Sequence, residues 1–149
     1  MPDVEIALLS PDAAAALAPL MASHVQEVRG GEPPRPDRYY AEKLLCDARV
    51  GLIGARIGGE LIGFALFHEI ADCVSGLEGG LLDTIFVRSD RRNHGAGRAL
   101  LEALSAEGRR RAWSSLRWIV DDSLPHSTLP DHIAMPAAGR SLVVPITRQ

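Results

Sequence analysis

The chain has 149 residues, 46% hydrophobic, 23% charged and 5% aromatic, which is one domain's worth and enough to build a core without disulfide or metal staples. Nineteen acidic residues against sixteen basic ones leave a formal net charge of -3, so no global field draws the chain to nucleic acid or to an anionic membrane. Cys46 and Cys73 lie far apart and outside any CxxC spacing; they indicate neither a disulfide framework nor a zinc knuckle and read as reduced core thiols.

At the amino terminus Asp3 and Glu5 stand where an export signal needs positive charge, and the first basic residue is Arg29. The longest apolar run, Ala13 to Ala22, has ten residues broken by Pro19, against the roughly 20 that span a bilayer. A soluble, cytoplasmic protein is expected. Val4 to Leu9 reads as a strand, and Ser10-Pro11-Asp12 as the start of a helix running towards Val28, bent at Pro19 and stopped by Gly30-Gly31. Gly30 to Pro36 is a constrained loop, after which Asp37 caps a second helix through Cys46. Arg49 to Ile57 and Glu60 to Ile70 read as a hairpin about Gly58-Gly59, because glycine accepts the positive φ of both turn positions. Asp72 to Gly80 reads as loop, Leu81 to Val87 as strand, Ala96 to Gly108 as helix and Leu116 to Val120 as strand. The tail is interrupted by Pro125, Pro130, Pro136 and Pro145, and only Arg140 to Ile146 looks strand-like.

The chemistry is concentrated in Arg92-Asn93-His94-Gly95-Ala96-Gly97-Arg98, between a strand and an amphipathic helix. Glycines at such a junction let backbone N–H groups approach an anion, the helix dipole adds positive charge, and Arg92 and Arg98 can add charged contacts. A glycine-rich turn with solvated arginines is the plain alternative. The Walker loop is excluded, since Gly97 is followed by Arg98-Ala99, and the dinucleotide fingerprint fails at Leu100.

Val87, Arg91 or Arg92, Gly95-Ala96-Gly97 and Leu100-Leu101 resemble the acyl-CoA signature of the GNAT N-acetyltransferase family, and the element order resembles that family from residue 4 to about 120. More narrowly, Gly63-Phe64-Ala65-Leu66-Phe67 and Leu82-Asp83-Thr84-Ile85-Phe86-Val87 are similar to the spermidine/spermine and diamine acetyltransferases, with Asp83 and Thr84 where that subgroup carries Glu and Asp. The resemblance implies an α+β sandwich: a mixed, mostly antiparallel sheet with helices on both faces and splayed fourth and fifth strands. It implies that Ile85, Phe86 and Val87 pair with the pantetheine of acetyl-CoA, and that Asn93, His94, Gly95, Ala96, Gly97 and Arg98, with Arg92, hold the diphosphate.

Acyl transfer to an amine requires that the ammonium lose a proton. Asp83, in an otherwise apolar strand where burial would raise its pKa, is the candidate base; a carboxylate bonded to a loop, or one that merely pairs with a cationic substrate, is the alternative. Glu32, Tyr39, Tyr40, Phe67, Glu69 and Thr84 are candidates to line an amine pocket. The family's usual Asn and Tyr beyond the fifth strand are missing, Asp121-Asp122-Ser123-Leu124-Pro125 standing there instead, with Ser123 and His126 as substitute acids. His126 and His132 lack the acidic neighbours of a metal site, His94 reads as exposed, and Arg109 to Arg111 complement a helix end. The expected activity is transfer of acetyl from acetyl-CoA to a small primary amine by a homodimer. A protein or peptide amine, or a silent acyl-CoA-binding module, are the alternatives.

Overall fold

The computed structural model describes residues 3–120 and 142–146. Five strands lie in sequence order in one sheet: β1 (Val4–Leu8), β2 (Gly51–Ile57), β3 (Glu60–Ala71), β4 (Glu78–Val87) and β5 (Leu116–Trp118). All neighbours are antiparallel except β4 and β5, which are parallel. Helices α1 (Ala14–Arg29) and α2 (Arg38–Cys46) pack together on one face, and α3 (Ala96–Arg110) crosses the other against β1 to β4.

Local chemistry explains most boundaries. Pro11–Ala13 forms a short 3-10 turn for which Ser10 provides no side-chain cap, and α1 then runs unbroken through Pro19. It ends at Gly30, whose N–H still donates to the Gln26 carbonyl at 2.7 Å and whose φ of 74° then turns the chain out of the helix. Asp37 caps α2 as expected, accepting from the Tyr40 N–H at 2.9 Å. The β2–β3 hairpin turns on Gly58 and Gly59, both at positive φ.

Alternation along β3 assigns the two cores. Phe64 faces α1 and α2 with Leu17, Leu20, Leu52, Leu61 and Phe86. Phe67, an odd number of residues on, faces the other way and meets the Trp113 ring at 5.8 Å.

Several boundaries differ from expectation. β4 begins at Glu78, so the loop is confined to 72–77, where the Asp72 N–H donates to the Leu77 carbonyl. Gly79 and Gly80, which read as loop residues, are strand; a Cβ on Gly80 would come within 2.3 Å of the Trp113 ring. That glycine serves ring packing, not a turn. β5 stops at Trp118 rather than Val120, and Leu142 to Ile146 take no strand. Cys46 and Cys73 are free, as expected, but exposed: one ends α2 and the other sits in the 72–77 loop, so neither joins a core. The chain forms one compact unit over Met1–Trp118, with Ile119–Gln149 a second; the residues described in the latter are exposed. No described helix is long and apolar enough to cross a membrane.

Candidate active site at the open edge of β4

β4 and β5 pair only at Gly80, Leu81 and Leu82, so from Asp83 to Val87 the outer edge of β4 has no strand partner among the described residues. The Arg88 N–H donates to the Ile62 carbonyl at 2.8 Å. In an antiparallel ladder, residues that exchange such bonds alternate with residues that face away. With Phe86 opposite Phe64 and Thr84 opposite Leu66, these two spend their backbone groups on β3. Ile85 and Val87 turn theirs to the open edge. Of the three residues expected to meet the pantetheine, Phe86 therefore contributes its ring to the core and not its backbone to the edge.

The loop that follows has the conformation an anion requires. Asn93 and Gly95 take positive φ, 66° and 81°, and α3 begins with no side-chain cap and no acidic residue in its first turn. The first helical bond runs from the Ala99 N–H to the Gly95 carbonyl, leaving the N–H groups of Ala96, Gly97 and Arg98 without a helical partner. Left-handed residues leading into a free helix N-terminus make a concave set of donors. A Cβ on Gly97 would meet only the Val87 methyl, at 3.9 Å, so this glycine leaves open space above the loop. His94 is half-buried there.

The arginines of the loop do not reach outwards as expected. Arg92 donates from Nε to the Val87 carbonyl at 2.8 Å, pairs with Glu27 of α1, and lies over the Phe86 ring. Arg98 pairs with Glu102 one helical turn on.

Asp83 sits at a bulge: Phe67 is opposite Leu82 and Leu66 opposite Thr84, so Asp83 is the extra residue. Its side chain is 59% exposed and its Oδ2 lies 4.0 Å from the Nε2 of His68. The burial expected for it is absent, because the bulge turns it out of the strand's apolar alternation. His24 of α1 completes this corner, edge-on to the Phe86 and Phe64 rings at 5.4 and 6.4 Å. Burial lowers the His24 pKa, outweighing the opposite pull of Glu27 and Asp83, and Arg92 adds to the lowering. Neither histidine stood out in the sequence, since only the register across the bulge brings His68 to Asp83. The i, i+3 spacing of His24 and Glu27 was the one available signal.

The expected amine-pocket residues separate. Thr84 stays beside Asp83, and Tyr40 lines a pocket of about 420 Å³ with Lys43, Leu44, Asp47, Arg49, Val50 and His68. Glu32 and Tyr39 are exposed. Phe67 is 1% exposed in the core under α3, and Glu69 pairs with Arg111, whose guanidinium also lies over Phe67 and Trp113. Those two belong to the opposite face because strand alternation places them there. Ser123, His126 and His132 lie outside the described residues, and no cluster of metal-ligating side chains occurs among the described ones.

A sheet that opens beside a free strand edge, with an uncapped glycine loop at its end, is the architecture of an acyl-CoA N-acyltransferase. The sequence model of the acetyltransferase (GNAT) family matches residues 18–128, and the chain belongs to that family: it is an acetyl-CoA-dependent N-acetyltransferase. It is similar to the ribosomal-protein-alanine N-acetyltransferase of Brucella melitensis biovar Abortus 2308, with 37% identity, 97% of this chain and 99% of that one covered, and a TM-score of 0.86. An aminoglycoside acetyltransferase from an uncultured soil metagenomic sample shares the fold at 19% identity, with 97% and 99% coverage and a TM-score of 0.73. A Trypanosoma brucei acetyltransferase does so at 16% identity, with 97% and 100% coverage and a TM-score of 0.74. No curated protein matches. The similarity to spermidine/spermine acetyltransferases in strands three and four finds no support among these relatives.

Proposed function

We propose that the enzyme acetylates the α-amino group of a peptide or protein N-terminus. The observation that carries this reading is the charge balance of the site. At this corner Glu27 is paired with Arg92 and Asp47 with Arg49. Asp83 alone, among the described carboxylates at this corner, has no arginine partner. One such carboxylate suits one ammonium, whereas a polyamine needs a row of them.

The proton chemistry favours the same acceptor. An α-amine has a pKa of roughly 7.7–8.0 and an alkylamine roughly 10.4, so at pH 7.5 about a third of the former is already neutral but only about 0.1% of the latter. A solvent-exposed carboxylate at a bulge matches the easier deprotonation. The relative at 37% identity, named for a ribosomal-protein alanine, supports it independently.

Acetyl-CoA, when bound, supplies the activated acetyl thioester. In this reading the outward N–H groups of Ile85 and Val87 and the Ile85 carbonyl hold the pantetheine as an added strand. The Val87 carbonyl is taken by Arg92. The donors of Gly95, Ala96, Gly97 and Arg98, with Asn93 and His94 shaping the loop, hold the diphosphate. Asp83 draws the acceptor ammonium to the bulge, with Thr84 beside it.

The pocket of about 420 Å³ beside His68 favours a second reading, a small-molecule amine, since cavities of roughly 300–1,000 Å³ suit small ligands. Thiol release from acetyl-CoA, measured with peptides of varied N-terminus, polyamines and aminoglycosides, separates the two. The expected result is turnover of peptides with a free α-amine and none of N-blocked ones, the product heavier by one acetyl at its first residue. Faster turnover of a polyamine or aminoglycoside overturns the peptide reading.

A further inference from the structure

We propose that His68 takes the proton from the acceptor ammonium, with Asp83 holding the ammonium's charge beside it; the inference rests on the site reading above. The Nδ1 of His68 lies 3.2 Å from the Arg49 carbonyl oxygen. A carbonyl only accepts, so Nδ1 carries the hydrogen and the lone pair of the neutral ring is on Nε2.

Nε2 faces the Asp83 Oδ2 at 4.0 Å, too far for a direct hydrogen bond. A gap of this width between two acceptors is spanned by one group with at least two hydrogens to give. An ammonium fits, donating one N–H to the carboxylate and another to the imidazole. The bulge makes this possible. By the register, Leu82 faces the α3 side with Phe67 and Thr84 faces the α1 side with Leu66, so the extra residue can bring its carboxylate to His68.

Of the two acceptors it is the neutral imidazole nitrogen, with its lone pair aimed at the ammonium, that acts as the base. An N–H bond of the ammonium breaks and its proton goes to Nε2. The freed nitrogen lone pair forms the C–N bond to the acetyl carbon, while the C–S bond breaks and its electron pair leaves on the coenzyme sulfur; the nitrogen then gives up its second proton to that thiolate, leaving the amide and the free thiol. The His68 side chain is 34% exposed, so the imidazolium can return its proton to solvent. The ionisable neighbours of this pair are Asp47 and Arg49 ahead of β2, Tyr40 and Lys43 of α2, and His24 of α1 on the Asp83 side.

The test compares pH profiles of kcat/KM for His68→Gln and Asp83→Asn, using whichever amine the wild type turns over. His68→Gln is expected to lose about a hundredfold in kcat and to lose the acid limb of the profile, with its Tm near that of the wild type. Asp83→Asn is expected to raise the acceptor KM while keeping that limb. A limb that survives in His68→Gln and vanishes in Asp83→Asn assigns the proton to Asp83 and overturns the proposal. The ring 15N spectrum of the neutral protein gives a readout independent of turnover: Nδ1–H is expected for His68, and an Nε2–H tautomer overturns it. Acetylation of amines other than peptides would overturn the acceptor assignment alone and leave both of these readouts intact.

Discussion

Arg92 donates from Nε to the carbonyl of Val87 at 2.8 Å, so the arginine that opens the glycine loop is folded back onto the last residue of β4. Its guanidinium is held there from three sides, by that carbonyl, by Glu27 and by the Phe86 ring. Arg92 therefore ties α1 to the end of β4 and fixes where the loop departs.

Arg92→Ala should accordingly act first on stability. Loss of charged hydrogen bonds at a half-buried site costs about 1–3 kcal/mol, visible as a lower Tm in thermal denaturation. Acetyl-CoA affinity, measured by calorimetry at a temperature where the variant is folded, should fall less than fivefold. A large loss of affinity with an unchanged Tm would mean that Arg92 turns outwards to the phosphates.

Gly97→Val should do the reverse. The site has room for a Cβ, whose nearest neighbour would be a Val87 methyl at 3.9 Å, but a branched side chain would cover the free donors of the first turn of α3. The expected outcome is an apoprotein Tm close to wild type, with acetyl-CoA bound at least tenfold more weakly in a calorimetric titration. Unchanged affinity would remove the loop from the coenzyme site.

Asp83→Asn removes the one carboxylate among the described residues of this corner that has no arginine partner. Since the side chain is 59% exposed, stability should change by no more than about 0.5 kcal/mol. The kcat/KM for the amine should fall about ten- to a hundredfold, the worth of one charged contact, with the acetyl-CoA Kd unchanged. Steady-state kinetics with each substrate varied in turn checks this.

The sequence patterns that proved legible were those set by local physics. Asp37 before Arg38-Tyr39-Tyr40 announced a cap, Gly58-Gly59 a hairpin, and Asn93 to Gly97 a donor-rich loop before a helix, because each depends on residues within one turn of chain. What stayed hidden depended on register. Gly80 looked like a loop residue because nothing local shows that Trp113, more than thirty residues on, needs its missing side chain. Phe67 and Glu69 looked like pocket residues until strand parity put them under α3. The pairing of His68 with Asp83 follows from a bulge, and a single extra residue in one strand leaves no mark in composition or periodicity.

Gly80→Ala tests that packing. The added Cβ would fall within 2.3 Å of the Trp113 ring, which also lies against Phe67 and Gly108 and has little freedom to move. Overpacking of this kind costs about 1–3 kcal/mol. Urea denaturation of Gly80→Ala beside the double variant Gly80→Ala/Trp113→Leu checks the cause. The glycine substitution should cost markedly less when the indole is absent, and an equal cost in both backgrounds would place the strain elsewhere.

The acid limb of stability should depend on the far end of α3. Glu107 accepts from Arg110 and Arg111, which hold its pKa down from 4.5 to about 2. A carboxylate whose folded pKa is depressed contributes stability above its unfolded pKa and loses it as pH falls through the folded value. Its contribution is therefore complete above about pH 5 and disappears between there and about pH 2. Asp47, also lowered to about 2, by its hydrogen bonds to Arg49, adds to the same window. It is more weakly coupled to folding, because its arginine is a surface group. Arg111 reaches on from Glu107 to Glu69 of β3, so protonating Glu107 loosens the strap between helix and sheet. Glu107→Gln should be less stable than wild type at pH 7, while the two converge near pH 2 in urea titrations. A constant difference across that range would show that the arginines gain nothing from the charge of Glu107.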